Sequence, residues 1–233
     1  MHGRTGLLTP RPSWYPKYVP KAGDGCVLYC PGQDDPQSAV LRDISGKGNH
    51  GTITGATWVR EARGIQSLSF DGTDDKVTFG TSDIFTPAAY TVEAWVSYTT
   101  LVQYRRVAEK AEANKGWELL ISASPYRFYG VANATNTATG ADWTAQPTVI
   151  AGRYYHVVLT VDATRIRLYV NGAPAGDNVG VTTLTTTNPL VIATNYSSEY
   201  SNITVGLFSF RSRVISVAEV RDSFNQTRHL FGV

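Results

Sequence analysis

Short apolar segments alternate with turn residues through most of this chain, and this alternation constrains the fold more than any other feature. The segments are rich in Val, Ile, Thr and aromatic residues, and clusters of Gly, Asn, Asp and Ser separate them. In the clearest case, an alternating segment at 165–170 runs into Asn171-Gly172, the dipeptide best suited to a type I′ hairpin turn. Regular strand and turn signals of this kind are typical of a β-sandwich. The chain is therefore predicted to be all-β.

Strand signals and a single helix signal assign the elements. Strands are predicted at 27–30, 67–70, 76–79, 91–98, 105–110, 117–122, 126–131, 154–162, 165–170, 190–193 and 205–211. Ser216 and Glu219 have the spacing of a capping box, which predicts one short C-terminal helix at 217–225. Strand alternation predicts that four apolar side chains point into the core: Phe70, Trp95, Val158 and Leu168. For Glu93 and His156 we expect ordinary hydrogen-bonding or solvated roles.

Length and charge restrict the class of protein. The 233 residues suit one domain, because sandwiches of the jelly-roll kind use this length for a single core. The net charge is +2 and the Lys and Arg residues are scattered, so neither nucleic acid nor an anionic membrane is an expected partner. No apolar run approaches the roughly 18 residues of a membrane span. Prolines and charged residues interrupt every apolar run near the N-terminus, so no signal peptide is predicted.

The two cysteines, Cys26 and Cys30, lie on one predicted strand. Four residues of strand separate their Cα atoms by about 13 Å, which is too far for a disulfide bond. They are predicted to be free thiols that pack as small hydrophobic side chains.

The first 23 residues differ in composition from the rest. They contain four prolines together with Trp14, Tyr15 and Tyr18, and proline favours an extended chain without ladder hydrogen bonds. Residues 1–23 are therefore predicted to form an extended N-terminal arm, followed by one domain at 24–233. Two readings of the arm stay open: a tail that is disordered or folds back on its own domain, and an arm that docks on a neighbouring subunit.

Six segments, read in order, carry a family resemblance: 43–51, 68–75, 90–96, 155–162, 166–172 and 213–216. Together they resemble the laminin G-like, concanavalin A-like jelly-roll family, over roughly residues 25–225. The resemblance implies a two-sheet antiparallel jelly-roll sandwich.

The same fold family includes glucanases, whose catalytic carboxylates follow a recognisable pattern. Those enzymes carry a Glu-x-Asp-x-x-Glu run, which places acids on one face of a strand, and retaining glycosidases need two carboxylates about 5 to 5.5 Å apart. That run is absent here, and Glu109 and Glu112 have the wrong spacing. Asp71, Asp74 and Asp75 surround a glycine in a predicted turn, where backbone capping is expected. The chain is predicted to have no catalytic residues.

The resemblance also implies a calcium site in many relatives. Ser45 and Asn49 of the Gly-rich loop could supply oxygen ligands, with a carboxylate from Asp34 or Asp35. Gly206, however, stands where the family usually has an aspartate near its last strand. The sequence therefore predicts either no cofactor or a structural calcium ion, and the alternative to calcium is a loop closed by its own hydrogen bonds.

Glycan binding would use exposed aromatic side chains on loops or on one sheet face. The candidates for ligand binding are Trp117, Tyr126, Trp143, Tyr196 and Tyr200, together with Tyr104. Trp143 is the most suggestive, because the connection around it has no core pattern.

These features give two main functional predictions. The first is a non-catalytic structural or decoration protein of a virus particle, such as a phage, that docks on neighbouring virion or assembly subunits through Trp14, Tyr15 and Tyr18 of its arm. The alternative is a secreted carbohydrate-binding or adhesion module that binds surface glycans. Either reading places the protein in a virion or outside the cell, and a homo-oligomer is one of the assemblies to test. A stand-alone interaction domain inside a cell is the third reading.

Overall fold

The computed structural model describes residues 24–32, 38–113, 115–134, 137–140, 146–179 and 183–233. In chain order the strands are β1 (Cys26–Cys30), β2 (Val40–Leu41), β3 (Gly51–Thr54), β4 (Thr57–Arg60), β5 (Gln66–Asp71), β6 (Lys76–Thr78), β7 (Tyr90–Tyr98), β8 (Arg106–Glu112), β9 (Lys115–Ile121), β10 (Phe128–Ala134), β11 (Thr137–Gly140), β12 (Tyr154–Val161), β13 (Arg165–Val170), β14 (Ala173–Val179), β15 (Val191–Ile192) and β16 (Asn202–Arg211). The helix α1 spans Val217–Thr227, and short 3₁₀ turns lie at Asp83–Phe85 and Arg228–Leu230. The predicted arm at 1–23 lies outside the described residues.

The strands form two antiparallel sheets. The first sheet has the order β14-β13-β12-β7-β16-β5-β4, with β1 also paired to β16, and the second has the order β11-β10-β9-β8-β15-β6-β3-β2. Apolar side chains from both sheets meet in one large core, which is the arrangement expected of a β-sandwich. The predicted all-β, two-sheet antiparallel sandwich with one short C-terminal helix is confirmed.

The hairpin between β13 and β14 follows the sequence prediction. Asn171 and Gly172 have positive φ angles of 51° and 77°, as a type I′ turn requires. Val170 pairs with Ala173 across this two-residue loop. The Asn171 side chain also accepts a hydrogen bond from the backbone N–H of His156 at 3.0 Å, which ties the turn to β12.

The strand β7 is buried on both of its faces. Its residues Tyr90, Val92, Ala94, Val96 and Tyr98 belong to the core between the sheets. The prediction that Phe70 and Leu168 face this core is confirmed, but the same prediction is wrong for Trp95 and Val158. Those two side chains are buried on the opposite face of the first sheet, because the C-terminal segment adds a third layer there.

The C-terminal segment covers the outer face of the first sheet. The predicted capping box is present: Ser216 accepts from the Glu219 N–H, and the Glu219 side chain accepts from the Ser216 N–H. Trp95 stacks on Phe231, with ring centroids 4.4 Å apart, and its Nε1 donates to Thr227 Oγ1 at 2.8 Å.

No helix in the described ranges is long and apolar enough to cross a membrane.

A buried carboxylate, Glu93, joins the first sheet to α1. Its Oε1 lies 2.9 Å from His156 Nε2 and accepts a hydrogen bond from Ser223 of the helix. Its Oε2 accepts from Arg211 at 2.7 Å and from Ser209 at 3.1 Å. Burial alone would raise the pKa of Glu93, but the Arg211 guanidinium and the hydrogen bond with His156 outweigh it and hold the pKa well below its usual range. Glu93 and His156 therefore have the hydrogen-bonding role that the sequence predicted for them.

Both cysteines are free and buried. Burial raises the pKa of Cys26 to about 12 and that of Cys30 well above its usual value. Since the thiolate is the reactive form, these thiols are packing groups, as predicted.

We predict that Glu93→Gln lowers the free energy of unfolding at pH 7 by about 3 kcal/mol, because removing one partner leaves Arg211 buried without its counter-charge. A carboxylate with a depressed folded pKa stabilises the fold above its unfolded pKa, near 4.5, and that contribution is lost as the pH falls. Urea unfolding followed at pH 7 and pH 3 should therefore show a smaller acid dependence in the variant. Asp222→Asn, on the exposed side of the same helix, serves as the control and should change stability by less than about 0.5 kcal/mol.

Candidate functional site

The predicted ligand-binding aromatics occupy different environments. Trp117 is 0% exposed and donates from Nε1 to the Phe85 carbonyl at 2.7 Å, so its prediction as a surface residue is wrong. The reason is strand parity, because Trp117, like Leu119 and Ile121, points into the core from β9. Tyr126 is half-buried and packs against the core.

Among the predicted aromatics in the described residues, Tyr196 lines a large cleft. Tyr196 is 54% exposed and borders the cleft described below. Tyr200 is half-buried and is not among the residues that line it. Trp143 and the arm residues Trp14, Tyr15 and Tyr18 lie outside the described residues, so their roles stay predictions.

The Gly-rich loop of the calcium prediction is organised by Asp43. The Asp43 carboxylate accepts hydrogen bonds from the backbone N–H groups of Tyr29, Ser45 and Asn49 and from the Ser45 hydroxyl, all between 2.8 and 2.9 Å. The Asn49 side-chain amide donates to the Val27 carbonyl at 2.7 Å. These bonds match the alternative of a loop closed by its own hydrogen bonds.

Two further positions bear on the calcium prediction. Asp34 lies outside the described residues. At Gly206, a Cβ atom would stand 2.1 Å from Phe231 Cε1, so the Phe231 ring occupies the space that an aspartate side chain would need. Calcium itself stays a prediction.

The acidic turn after β5 is likewise held by its own backbone. Asp71, Asp74 and Asp75 bring carboxylate oxygens within 4.8 Å of one another. Asp75 accepts from the Asp71 N–H at 2.9 Å, and Asp71 accepts from the Thr73 N–H at 2.7 Å. The capping role expected from the sequence is therefore present.

The cleft lies on the outer face of the second sheet and has a volume of about 510 Å³. One row of its floor runs across three strands, because Val191 of β15 pairs with Thr78 of β6 and with Glu109 of β8. The residues that line it are Lys76, Thr78, Glu109, Ala111, Glu112, Asn188, Pro189, Val191, Thr194, Asn195, Tyr196 and Ser198. A small apolar floor with polar groups around it is typical of ligand sites.

The segment 194–201 forms one wall of the cleft and is held in a tight turn. Asn195 Oδ1 accepts from the N–H groups of Ser197 and Glu199 at 3.0 and 2.8 Å, and its Nδ2 donates to the Glu199 carboxylate at 2.7 Å. Ser201 donates from Oγ to the Arg106 carbonyl at 2.7 Å. The Asn195 amide is thus committed to the turn, while the Tyr196 ring faces outward.

Glu109 anchors this wall from below. It is 1% exposed, and its Oε1 accepts from the Tyr196 N–H at 2.7 Å. Arg106 lies 3.3 Å from its Oε2 but also pairs with Glu118 at 2.9 Å and with Glu199 at 3.0 Å. Burial and the facing carboxylate of Glu118 raise the pKa of Glu109 to about 8, although the Tyr196 N–H and Arg106 act in the opposite direction.

Lys110 holds the loops behind the cleft. Its side chain is fully buried, and Nζ donates to the carbonyls of Thr81, Thr186 and Asn188 at 3.0, 3.2 and 2.7 Å. Burial lowers the pKa of this ammonium group. Its three hydrogen bonds fix the connection that carries Asn188 into the cleft wall.

Four groups around the cleft make no hydrogen bond within the described residues: Lys76 Nζ, Thr78 Oγ1, Tyr196 Oη and Ser198 Oγ. They supply donors, acceptors and an aromatic face to a bound molecule. Of these residues, the sequence singled out only Tyr196. The carboxylate Glu109 was considered only with Glu112, whereas β8 and β9 pair it with Glu118. Folding 105–110 and 117–122 as a hairpin centred near 113 would have predicted that pairing.

A model of the Concanavalin A-like lectin/glucanases superfamily matches residues 71–221. No curated protein matches the chain. The solved structures are similar at low sequence identity, which shows the fold alone.

Three of these similar solved structures come from different kinds of protein. The binding domain of Paraclostridial Mosquitocidal Protein 1 aligns with a TM-score of 0.71 and 14% identity over 87% of this chain and 52% of that one. Trypanosoma rangeli sialidase aligns with a TM-score of 0.69 and 19% identity over 91% of this chain and 34% of that one. Domain 4 of an extracellular arabinanase from Geobacillus stearothermophilus, in complex with arabinotriose, aligns with a TM-score of 0.67 and 13% identity over 84% of this chain and 97% of that one. The present chain therefore spans about half of the first structure and a third of the second.

We predict that Lys110→Met lowers the free energy of unfolding by about 3 kcal/mol, because three carbonyls, that of Thr186 in a fully buried hydrogen bond, lose their shared charged donor. The measurement is urea unfolding followed by tryptophan fluorescence. Lys115→Met, on the neighbouring strand β9 but exposed, is the matched control and should change stability by less than about 0.5 kcal/mol. Equal stability of the two variants would contradict the role given to Lys110.

Proposed function

Because the chain belongs to the Concanavalin A-like lectin/glucanases superfamily, we propose that it is a glycan-binding module that holds an oligosaccharide in the cleft beside Tyr196. The exposed Tyr196 ring carries the proposal, because it stands on a wall whose backbone N–H groups donate to Asn195 Oδ1 and Glu109 Oε1, while Asn195 Nδ2 donates to Glu199. An aromatic ring placed in advance over a cleft loses little entropy when a ligand packs against it.

The polar groups of the cleft suit a sugar. Lys76, Thr78 and Ser198 present a cationic donor and two hydroxyl groups around the apolar floor formed by Ala111 and Val191. Sugar rings carry hydroxyl groups at their edges and C–H groups on their faces, so they match a site of this mixed character. Domain 4 of the arabinanase, of which this chain covers 97% and whose structure contains arabinotriose, supports an oligosaccharide as ligand.

Binding without catalysis is part of the same proposal. A glycosidase needs two carboxyl groups that both reach the substrate. Here Glu109 is 1% exposed, and Arg106 binds Glu118 through two nitrogens at 3.1 and 2.9 Å. This arrangement leaves the pair of acids engaged with protein groups and supports a non-catalytic role.

We predict that Tyr196→Ala reduces glycan binding roughly tenfold or more, since a central aromatic contact commonly contributes that much. The measurement is a glycan array that includes arabinotriose, followed by calorimetric titration of the glycans that bind. Tyr104→Ala is the matched control, because Tyr104 is 49% exposed but does not line the cleft. Equal loss in both variants, or none in either, would argue against the Tyr196 cleft as the site.

We further propose that this glycan-binding module acts on the surface of a virus particle. This role was predicted from the composition of residues 1–23, with Trp14, Tyr15 and Tyr18, which lie outside the described residues. A glycan-binding module on a virus particle would combine both functional predictions.

For this role we predict that deletion of residues 1–23 leaves the domain folded and abolishes its assembly with neighbouring subunits. Circular dichroism measures the fold, and size-exclusion chromatography with light scattering measures the assembly state. An unchanged assembly state after the deletion would rule out the docking arm.

A further inference from the structure

We propose that Glu109 is the positioning residue of the cleft, and that it holds the Tyr196 wall in place only while its own carboxyl group is protonated. The part that concerns ligand affinity rests on the proposed glycan-binding function. The part that concerns the Tyr196 wall rests on the burial, contacts and charged neighbours of Glu109 and is independent of any ligand.

Glu109 holds Tyr196 through the backbone. The Tyr196 N–H donates to Glu109 Oε1 at 2.7 Å, while the Tyr196 side chain makes no hydrogen bond within the described residues. The position of the ring therefore depends on where this backbone is held. The far end of the same segment is held separately, by Glu199 through Arg106 and Arg105.

Glu109 does not bind the ligand itself in this conformation. It is 1% exposed, and its Oε2 is buried and accepts no hydrogen bond in the described residues. A bound sugar would reach Tyr196 and the groups on the other side of the cleft, and Glu109 would act through Tyr196.

The charged groups around Glu109 do not compensate for its ionisation. Arg106 and Glu112 lie on its own strand, and Glu118 faces it from β9. Glu199 lies on the 194–201 wall, and Lys76 lies across the cleft on β6. Arg106 is shared among three carboxylates, and Arg105 pairs with Glu199 rather than with Glu109. Within the described residues, Glu109 therefore has no cation of its own.

Ionisation of Glu109 destabilises the closed position of the 194–201 wall. Burial and Glu118 raise the pKa of Glu109 to about 8 while the wall is closed. If the wall opens, water reaches the carboxyl group and its pKa returns towards the ordinary value of about 4.5. The closed form thus binds the proton more tightly than the open form, and raising the pH through this range favours opening.

The test compares wild type with Glu109→Gln and Glu109→Ala at pH 5.5 and pH 9. The glutamine Oε1 still accepts the Tyr196 N–H and does not titrate, whereas alanine removes the acceptor. Hydrogen–deuterium exchange of peptides covering 194–200, expressed as protection factors against intrinsic rates, reports the wall without any ligand. The glycan array reports binding under the same conditions.

We expect wild-type protection to fall at least about tenfold, equivalent to 1.4 kcal/mol or more, between pH 5.5 and pH 9, and glycan binding to fall with it. Glu109→Gln should stay constant and match wild type at pH 5.5, and Glu109→Ala should be low at both pH values. In a Tyr196→Ala background, Glu109→Ala should cause no further loss of binding, which distinguishes positioning from a general structural defect. Asp177→Asn, an exposed carboxylate on the first sheet, is the control and should leave the wild-type pH profile unchanged.

Two results separate the inference from the function on which it partly rests. Equal protection of 194–200 in wild type at both pH values, or loss of protection in Glu109→Gln, would overturn the positioning role. An array on which no glycan binds any variant would overturn the proposed function and the affinity part of the inference, while the exchange data still decide whether Glu109 holds the wall.

Discussion

Burial of β7 on both faces is the constraint on which the rest of this structure depends. All nine of its residues are buried, so side chains that would face solvent in an ordinary two-layer sandwich must find partners inside the protein. One face supplies the core between the sheets. The other places Glu93 and Trp95 under the C-terminal segment, where a carboxylate and an indole N–H must both be satisfied. The third layer is therefore needed to satisfy the central strand.

Two buried glutamates show how the same side chain acquires opposite properties. Glu93 has Arg211, His156, Ser209 and Ser223 around it, so its charged form is stabilised and its pKa is lowered. Glu109 shares one guanidinium with two other acids, so burial dominates and its pKa is raised. The first supports stability, and the second makes the wall of the cleft sensitive to protonation.

Local signals in the sequence predicted much of the fold. The Asn171-Gly172 turn and the Ser216 capping box each specify their geometry within a few residues, and both are present. The strands β2, β3, β4, β11 and β14 were not predicted, because they are short or lack an alternating pattern. The segment of β14, with Pro174 and Gly176, forms a strand because the hairpin turn brings it beside β13.

The candidate site was less predictable, because it depends on which face each side chain occupies. Trp117 and Trp95 were each assigned to the wrong side of a sheet. A shift of one residue along a strand moves a side chain to the opposite face of the sheet. When both faces are buried, residue type alone does not indicate which face a side chain occupies. Tyr196 could be found because it is aromatic and lies in a loop. Glu109 could be recognised only from its pairing with Glu118 and its contact with the Tyr196 backbone.

The contact of Phe231 with Trp95 and Gly206 links the last residues of the domain to its middle, and Leu230 and Phe231 also join the cluster that contains Cys26 and Tyr29. During synthesis on a ribosome, the outer face of the first sheet therefore stays uncovered until the chain has been made through residue 231. Until then, Trp95 and its apolar neighbours are exposed to other proteins. This face is thus completed only after residue 231 has been made, and chaperone contact is expected to concentrate on it in the nascent chain before then.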